Sequence, residues 1–385
     1  MSAIAPQPRA QSQSQAPAQT QSATLELPFR APYDWPRVLR FFSGRATPGV
    51  EAVEDGAWLR AIDFNGASGT LAVRRHARKH CLVVQIDGPV SAHAAALAAP
   101  LSRMFDLQAD PAAIAAHLRA DPWLAPLVAA VPGLRVPGAW SGFELVVRAI
   151  VGQQVSVKAA TTIVGRLVER VGKRIDAHEH ARTAWRFPTP AALATADLAG
   201  IGMPGKRVAA LQGFAQAVAS GAVVIERKDE RNDNSVANRS KDARADNTPQ
   251  PRGKRQDRRI DALTLAASAS NDLDAMRAAL LALPGIGPWT VEYVAMRAWR
   301  DANAWPATDL VLMQAIAARD PALVRATQQR TRTDTWRPWR AYAALHLWNE
   351  IADRAGAARG GVAPVRAHGG ARKTVPEAAS SRSSG

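Results

Sequence analysis

A chain of 385 residues with 47% apolar content is long enough to bury a sizeable core and to divide into two or three domains. Its formal charge of +16 and isoelectric point near 11.0 point to a polyanionic partner. The single cysteine, Cys81, excludes internal disulfide frameworks and four-cysteine zinc or iron–sulfur sites, and no apolar run is long enough to span a membrane.

Residues 1–24 are rich in Gln, Ala, Ser and Pro and lack an apolar run of the kind a secretory signal needs, so a disordered tail and a cytoplasmic location are expected. Residues 25–98 read as a small α+β domain with an antiparallel sheet. Trp35–Phe42 suits a helix, the runs 58–62, 70–73 and 82–86 suit strands, and Asn65–Gly69 suits a turn. Cys81 lies in His80–Val84, a strand-like stretch that leads into the last of these runs, and is expected to be a small buried hydrophobe, which argues against alkyl transfer to a thiol.

From about residue 99 the pattern is helical. Phe143, Val146, Val147, Ile150 and Val151 share one face at 3.6 spacing and stop at Gly152, and a second helix is expected from Val155 to about Val171. The glycine turn Gly200–Arg207 reads as an ordinary helix connection. Residues 226–259 hold 11 basic and 7 acidic residues and almost no large apolar side chain, so a disordered insertion is expected; its acids argue against a dedicated DNA arm. The helical core is expected to run to residue 351, with a flexible tail over 352–385.

The most informative stretch is Leu283-Pro284-Gly285-Ile286-Gly287-Pro288-Trp289-Thr290, followed by an apolar helix and then Thr308-Asp309-Leu310. Pro-Gly-x-Gly between two helical patterns, about 273–282 and 290–299, describes a tight turn whose glycines permit positive φ and a close approach to a ligand. Free amides at the start of the second helix, aided by its dipole, suit an anion such as a DNA phosphate. Trp289 and Tyr293 lie four apart and can face one cavity. Thr308 or Asp309 can cap the helix that begins at Leu310. A downstream acid beside a DNA clamp is able to do chemistry.

These residues resemble the helix-hairpin-helix (HhH-GPD) DNA glycosylases, and within them the branch acting on alkylated bases, the DNA-3-methyladenine glycosylases II. Phe143–Val157 and Trp336–Trp348 are similar to that family as well. The resemblance implies an N-terminal antiparallel-sheet domain followed by an all-α core of two subdomains with the active site between them. It implies a monofunctional enzyme that flips an alkylated purine out of duplex DNA and hydrolyses its N-glycosidic bond to start base excision repair. Asp309 takes the catalytic place, and Trp289, Tyr293 and Trp348 match the aromatic base pocket. The amides of Gly285, Gly287 and Thr290 would hold a phosphate. The carbonyls of Leu281, Leu283 and Ile286 would hold a structural Na+ or K+, with no cofactor needed for the chemistry. Bifunctional relatives place a lysine where this chain has Trp289, so water is the expected nucleophile. Better-known relatives place a wedging leucine where this chain has Gln154, whose amide could bond the orphaned partner base. His346 is expected to be a packed or capping residue. A monomer associated with the nucleoid is expected. The rival readings are a glycosylase of the same fold acting on oxidised or deaminated bases, and a non-enzymatic DNA-binding protein.

Overall fold

Two hairpins set the register of the sheet on which the N-terminal part is built. The structure, a computed structural model, describes residues 21–175, 183–227 and 272–358. Its five-stranded antiparallel sheet has the order β1-β5-β4-β3-β2, with β1 (Ser22–Pro28), β2 (Glu51–Glu54), β3 (Ala57–Phe64), β4 (Ala67–Arg75) and β5 (Cys81–Asp87). Asn65 and Gly66 join β3 to β4 with φ of 52° and 80°, and Asp55 and Gly56 join β2 to β3 with φ of 47° and 73°. Two successive left-handed residues give a turn whose twist matches the flanking strands, and Asn-Gly and Asp-Gly adopt it at least cost. The turn expected over Asn65–Gly69 therefore narrows to two residues, and residues 67–69 enter β4.

Leu71 and Val73 of β4 pair with Ile86 and Val84 of β5, and all four are fully buried. Over this face lies α1 (Trp35–Ser43), capped by the Asp34 carboxylate, which accepts from the Arg37 amide at 3.0 Å. Its buried residues Trp35, Val38, Leu39 and Phe42 follow the i, i+3, i+4, i+7 pattern of one helix face.

The expected domain limits shift at three places. β1 starts at Ser22, so residues 22–24, assigned to the tail, pair with 85–87 instead; an edge strand with few buried side chains gives little apolar signal. The boundary at 99 falls inside α2 (Ala94–Met104), whose Leu97, Leu101 and Met104 join Trp58 and Leu71 in one core. The tail expected over 352–385 begins with helix, because α13 (Arg340–Ala358) continues while Asp353 accepts from Arg37 at 3.0 Å and Arg40 at 2.7 Å.

The second core is helical among the described residues. It contains α3 (Pro111–Arg119), α4 (Ala125–Ala130), α5 (Gly142–Val151), α6 (Val157–Val171), α7 (Pro190–Thr195), α8 (Gly205–Ala219), α9 (Leu273–Leu281), α10 (Pro288–Arg297), α11 (Leu310–Ala317) and α12 (Ala326–Asp334), with α13 closing it. A two-stranded ribbon, Lys173–Arg174 with Trp185–Arg186, sits beside it. Every residue of α5 except Arg148 is buried, as expected for a helix apolar on nearly all sides and packed against α6, α8 and α10. The turn expected at Gly200–Arg207 does connect two helices, α7 and α8.

Glu226 and Arg227, expected to open a disordered insertion, are bound to this core. The Glu226 carboxylate accepts from the Ser141 hydroxyl at 2.8 Å and the Gly142 amide at 2.7 Å, satisfying the start of α5, and Arg227 donates to the Trp299 carbonyl at 2.9 Å. The remainder of that stretch, 228–259, lies outside the described residues.

A buried ionic cluster joins the sheet to the helical core. Arg60 of β3, 2% exposed, bonds Glu51 of β2 and Glu144 of α5, and Arg148 of α5 bonds Glu51 in return. Burial pushes the Glu51 carboxyl up, but the Arg148 and Arg60 guanidiniums outweigh it and hold it below the usual carboxylate range. Arg60→Met strands Glu144 without its main counter-charge, and losing one partner of a buried ion cluster costs about 3–5 kcal/mol. Urea unfolding of Arg60→Met against wild type is expected to show a loss of that order.

Candidate active site

The loop between α9 and α10 uses its two glycines differently. Gly285 has φ of 81°, and a Cβ there would stand 2.7 Å from the Ala210 Cβ of α8, so both the conformation and the close approach require glycine. Gly287 has φ of −103° and ψ of 172°, ordinary extended backbone, so the expectation of positive φ holds for Gly285 alone. Gly287 occupies the N-cap of α10, and a Cβ there would touch nothing, which leaves the approach to the helix start open. The first helical bond runs from Val291 N to Gly287 O at 3.2 Å. Pro288 has no amide, so the amides of Trp289 and Thr290 are the ones without a partner inside the helix. Leu283 and Ile286 are buried beneath the turn and Leu281 is exposed.

A second turn is tied to this one. Between α5 and α6, the Gln153 side-chain amide donates to the Gly285 carbonyl at 2.8 Å, a link that sequence spacing did not reveal. Gln154 follows with φ of 57°, left-handed and uncommon for a residue with a side chain, and is exposed at the mouth of a cavity.

Asp309 caps α11, and its carboxylate gathers three donors. Oδ1 accepts from the Leu312 amide at 2.9 Å and from Trp348 Nε1 at 3.0 Å, while Oδ2 accepts from Trp289 Nε1 at 2.8 Å. The capping residue is thus Asp309 and not Thr308. Three donors from three elements fix the carboxylate's direction. The tryptophans therefore orient the acid as well as lining the cavity, a double use that residue counting missed. Tyr293 stacks on Trp289, with ring centroids 4.9 Å apart and 13° between planes, and meets Trp348 edge-on at 6.5 Å.

These residues line one cavity of about 670 Å³ between the N-terminal unit and the helical core. Asp309, Trp289, Tyr293, Trp348 and Gln154 all border it; Gly285, Gly287, Thr290, Leu281, Leu283 and Ile286 do not, and lie in and beside the hairpin turn. Another wall comes from residues not foreseen: Phe41 of α1, Arg45 just after it, and Arg297 of α10. Arg297 stands four residues after Tyr293 and donates to its hydroxyl at 2.8 Å, so helical spacing could have found it. Nothing in the sequence links Arg45 to the hairpin, because the contact crosses between domains.

Cys81 is buried in β5, and burial raises its thiol pKa, as suits a small core residue. Among the described residues no group of three or more His, Cys, Asp or Glu could hold a metal ion, and no helix is long and apolar enough to cross a membrane.

Comparison with known proteins assigns this arrangement to a family. Residues 24–141 match the AlkA N-terminal domain, and residues 147–341 match the HhH-GPD superfamily of base excision DNA repair proteins. The chain is 31% identical over 325 residues to DNA-3-methyladenine glycosylase 2 of Escherichia coli K12, covering 84% of this chain and 95% of that one. It is 32% identical over 334 residues to a Mycobacterium tuberculosis protein named probable bifunctional transcriptional activator/DNA repair enzyme AlkA, covering 86% of this chain but only 57% of that relative. Among solved structures, the 3-methyladenine DNA glycosylase of Archaeoglobus fulgidus superposes with a TM-score of 0.62 at 19% identity, covering 84% of this chain and 96% of that one. The apo 8-oxoguanine glycosylase/lyase of Clostridium acetobutylicum gives 0.59 at 14% identity, with 86% and 98% covered; at these identities the likeness is one of fold. The chain belongs to the HhH-GPD superfamily of base excision DNA repair proteins.

His346, two residues before Trp348, is 4% exposed, and burial, with a smaller effect from Arg37, lowers its pKa to about 4. The folded state keeps it neutral, whereas the unfolded chain takes up a proton near pH 6.5. Stability from this group is therefore complete above pH 6.5 and falls by about 1.4 kcal/mol per pH unit as the pH drops toward the folded value. His346→Gln is expected to flatten the slope of unfolding free energy between pH 6 and about pH 4 by close to one proton, read from urea titrations at each pH.

Proposed function

We propose that the chain is a monofunctional DNA glycosylase that binds duplex DNA, flips an alkylated purine such as 3-methyladenine into the cavity and hydrolyses its N-glycosidic bond. The observation that carries this reading is the Asp309 carboxylate, oriented by Trp289, Trp348 and the Leu312 amide beside an aromatic-walled cavity. Membership of a base excision repair family supports the reaction, and the name of the Escherichia coli relative supports the choice of substrate.

In this mechanism the C1′–N bond breaks with its electron pair going to the base. Asp309 stabilises the positive charge that develops on the sugar, and water then bonds to C1′ and gives up its proton to Asp309 or to solvent. Trp289, Tyr293 and Trp348 offer π faces to a purine whose alkylated ring is cationic. The amides of Gly285, Gly287 and Thr290 take a backbone phosphate, with the open side of Gly287 allowing close approach. Gln154 fills the gap left in the stack. The carbonyls of Leu281, Leu283 and Ile286 offer hard oxygen ligands for a Na+ or K+ that would share the phosphate. Leu283 O already accepts the Ile286 amide at 3.2 Å, so only its second lone pair is available. The protein acts as a monomer.

Asp309→Asn keeps shape but removes the charge facing the sugar cation, and losing such stabilisation costs about a hundredfold or more. Base release from alkylated duplex DNA is expected to fall by that factor with DNA affinity retained; turnover near the wild-type rate would refute the assignment. Because position 289 carries an indole and not an amine, borohydride added during turnover is expected to trap no protein–DNA adduct on denaturing gels.

A further inference from the structure

The cavity carries opposite charge at its two ends. At one end Asp309 holds the indole N–H groups of Trp289 and Trp348. Past the stacked pair of Trp289 and Tyr293, the other end is cationic. There the phenol oxygen of Tyr293 accepts from Arg297 at 2.8 Å, and the Arg45 guanidinium lines the same end of the cavity, where its charge acts on the phenol. Arg297 is 7% exposed, and its other donors reach the Pro137 and Gly138 carbonyls at 2.8 Å each, so among the described residues no carboxylate neutralises it. Arg45 and Arg297 flank Phe41, 4.0 and 4.7 Å from its ring centroid. Arg60 and Arg148, deeper in the same wall, are by contrast paired with Glu51 and Glu144.

Guanidiniums can only donate, so the Tyr293 oxygen must accept from them, and its own hydrogen remains to be given to whatever occupies the cavity. Burial pushes the phenol pKa up, but Arg297 and Arg45 outweigh it and hold it below its ordinary value, which strengthens that donor.

We propose that Tyr293, polarised by Arg297 and Arg45, is a second catalytic residue whose hydroxyl donates a hydrogen bond to the departing base and stabilises the electron pair the base carries away. This rests on the glycosylase reading of the site. Breaking the C1′–N bond puts positive charge on the sugar, facing Asp309, and sends two electrons to the base, facing Tyr293. A cationic alkylated purine leaves neutral. A neutral purine such as hypoxanthine leaves as an anion and takes its proton from solvent afterwards. In both cases water supplies the oxygen that bonds C1′ and releases its proton through Asp309 or directly to solvent. Negative charge thus accumulates at the Tyr293 end only for neutral bases, so the Tyr293 hydrogen bond contributes more to the release of a neutral purine than to that of a cationic one.

The test compares single-turnover release of hypoxanthine and of 7-methylguanine from otherwise identical duplexes. A hydrogen bond to a charged group is worth about tenfold or more in rate, so Tyr293→Phe is expected to slow hypoxanthine release by at least that factor while 7-methylguanine release falls less than about threefold. Arg45→Leu, at an exposed position, is expected to shift the ratio in the same direction more weakly. Arg45→Leu is expected to keep the wild-type thermal unfolding midpoint; Tyr293→Phe keeps the stacked ring but leaves one Arg297 donor unpaired, so its midpoint is expected to fall somewhat, a loss that by itself would slow both bases alike. Equal losses for the two bases, or wild-type release of 7-methylguanine without hypoxanthine, would overturn the inference and leave the glycosylase reading standing. Failure of wild type to release either base would overturn both.

Discussion

The carboxylate of Asp309 is the point where three separate parts of the chain are tied together: the first turn of its own helix α11, the hairpin helix α10 through Trp289, and the closing helix α13 through Trp348. Two indole N–H groups in a half-buried site each need an acceptor, and the two oxygens of one carboxylate can serve both while still capping a helix. The acid is thereby held without a free torsion to reorganise, and the aromatic walls are placed by the same bonds. Preorganisation of this kind is what gives a carboxylate more stabilising power toward a developing cation than water would have.

The cavity beside it depends on the N-terminal unit being fixed against the helices. The buried cluster of Arg60, Glu51, Arg148 and Glu144 supplies that fixation, with Asp353 on α13 bonding Arg37 and Arg40 of α1 as a second tie. Each charge taken out of water needs a close partner, so the sheet and α5 have few relative positions in which all four are satisfied. That constraint sets where Phe41 and Arg45 fall relative to Tyr293, and hence the charge at the far end of the cavity. The N-terminal unit is therefore one wall of the site and not an appendage to it.

Two turns, each with one left-handed residue, are tied together beside the cavity, and Gln154 of one of them borders it. Gly285 needs its conformation because Ala210 leaves no space for a side chain, whereas Gln154 holds φ of 57° with a full side chain and projects it outward. The Gln153 amide on the Gly285 carbonyl couples them, so the residue at the mouth and the amides at the start of α10 keep a fixed spacing. A duplex gripped at one turn would meet the other in register.

Much of this was legible in the sequence wherever the signal is local. Helix faces at 3.6 spacing, Asn-Gly as a turn, the Pro-Gly-x-Gly hairpin and an aspartate before Leu310 all report interactions among residues a few positions apart, and α1, α5, β3 to β5 and the α9–α10 hairpin followed. Edge strands β1 and β2 did not, because a strand with one face in water and short apolar content leaves little pattern. Glu226 and Arg227 looked like solvated filler because composition does not say which charges find a buried donor or carbonyl. The joining of Trp289, Tyr293, Asp309 and Trp348 into one site needed only the helical spacing and the family resemblance; that the two indoles donate to Asp309 needed the fold. Arg45 against Tyr293, Arg60 against Glu144 and Gln153 against Gly285 span from 84 to 248 positions and were decided by tertiary packing alone, since the energy of such contacts depends on which surfaces meet and not on what lies next to each residue in the chain.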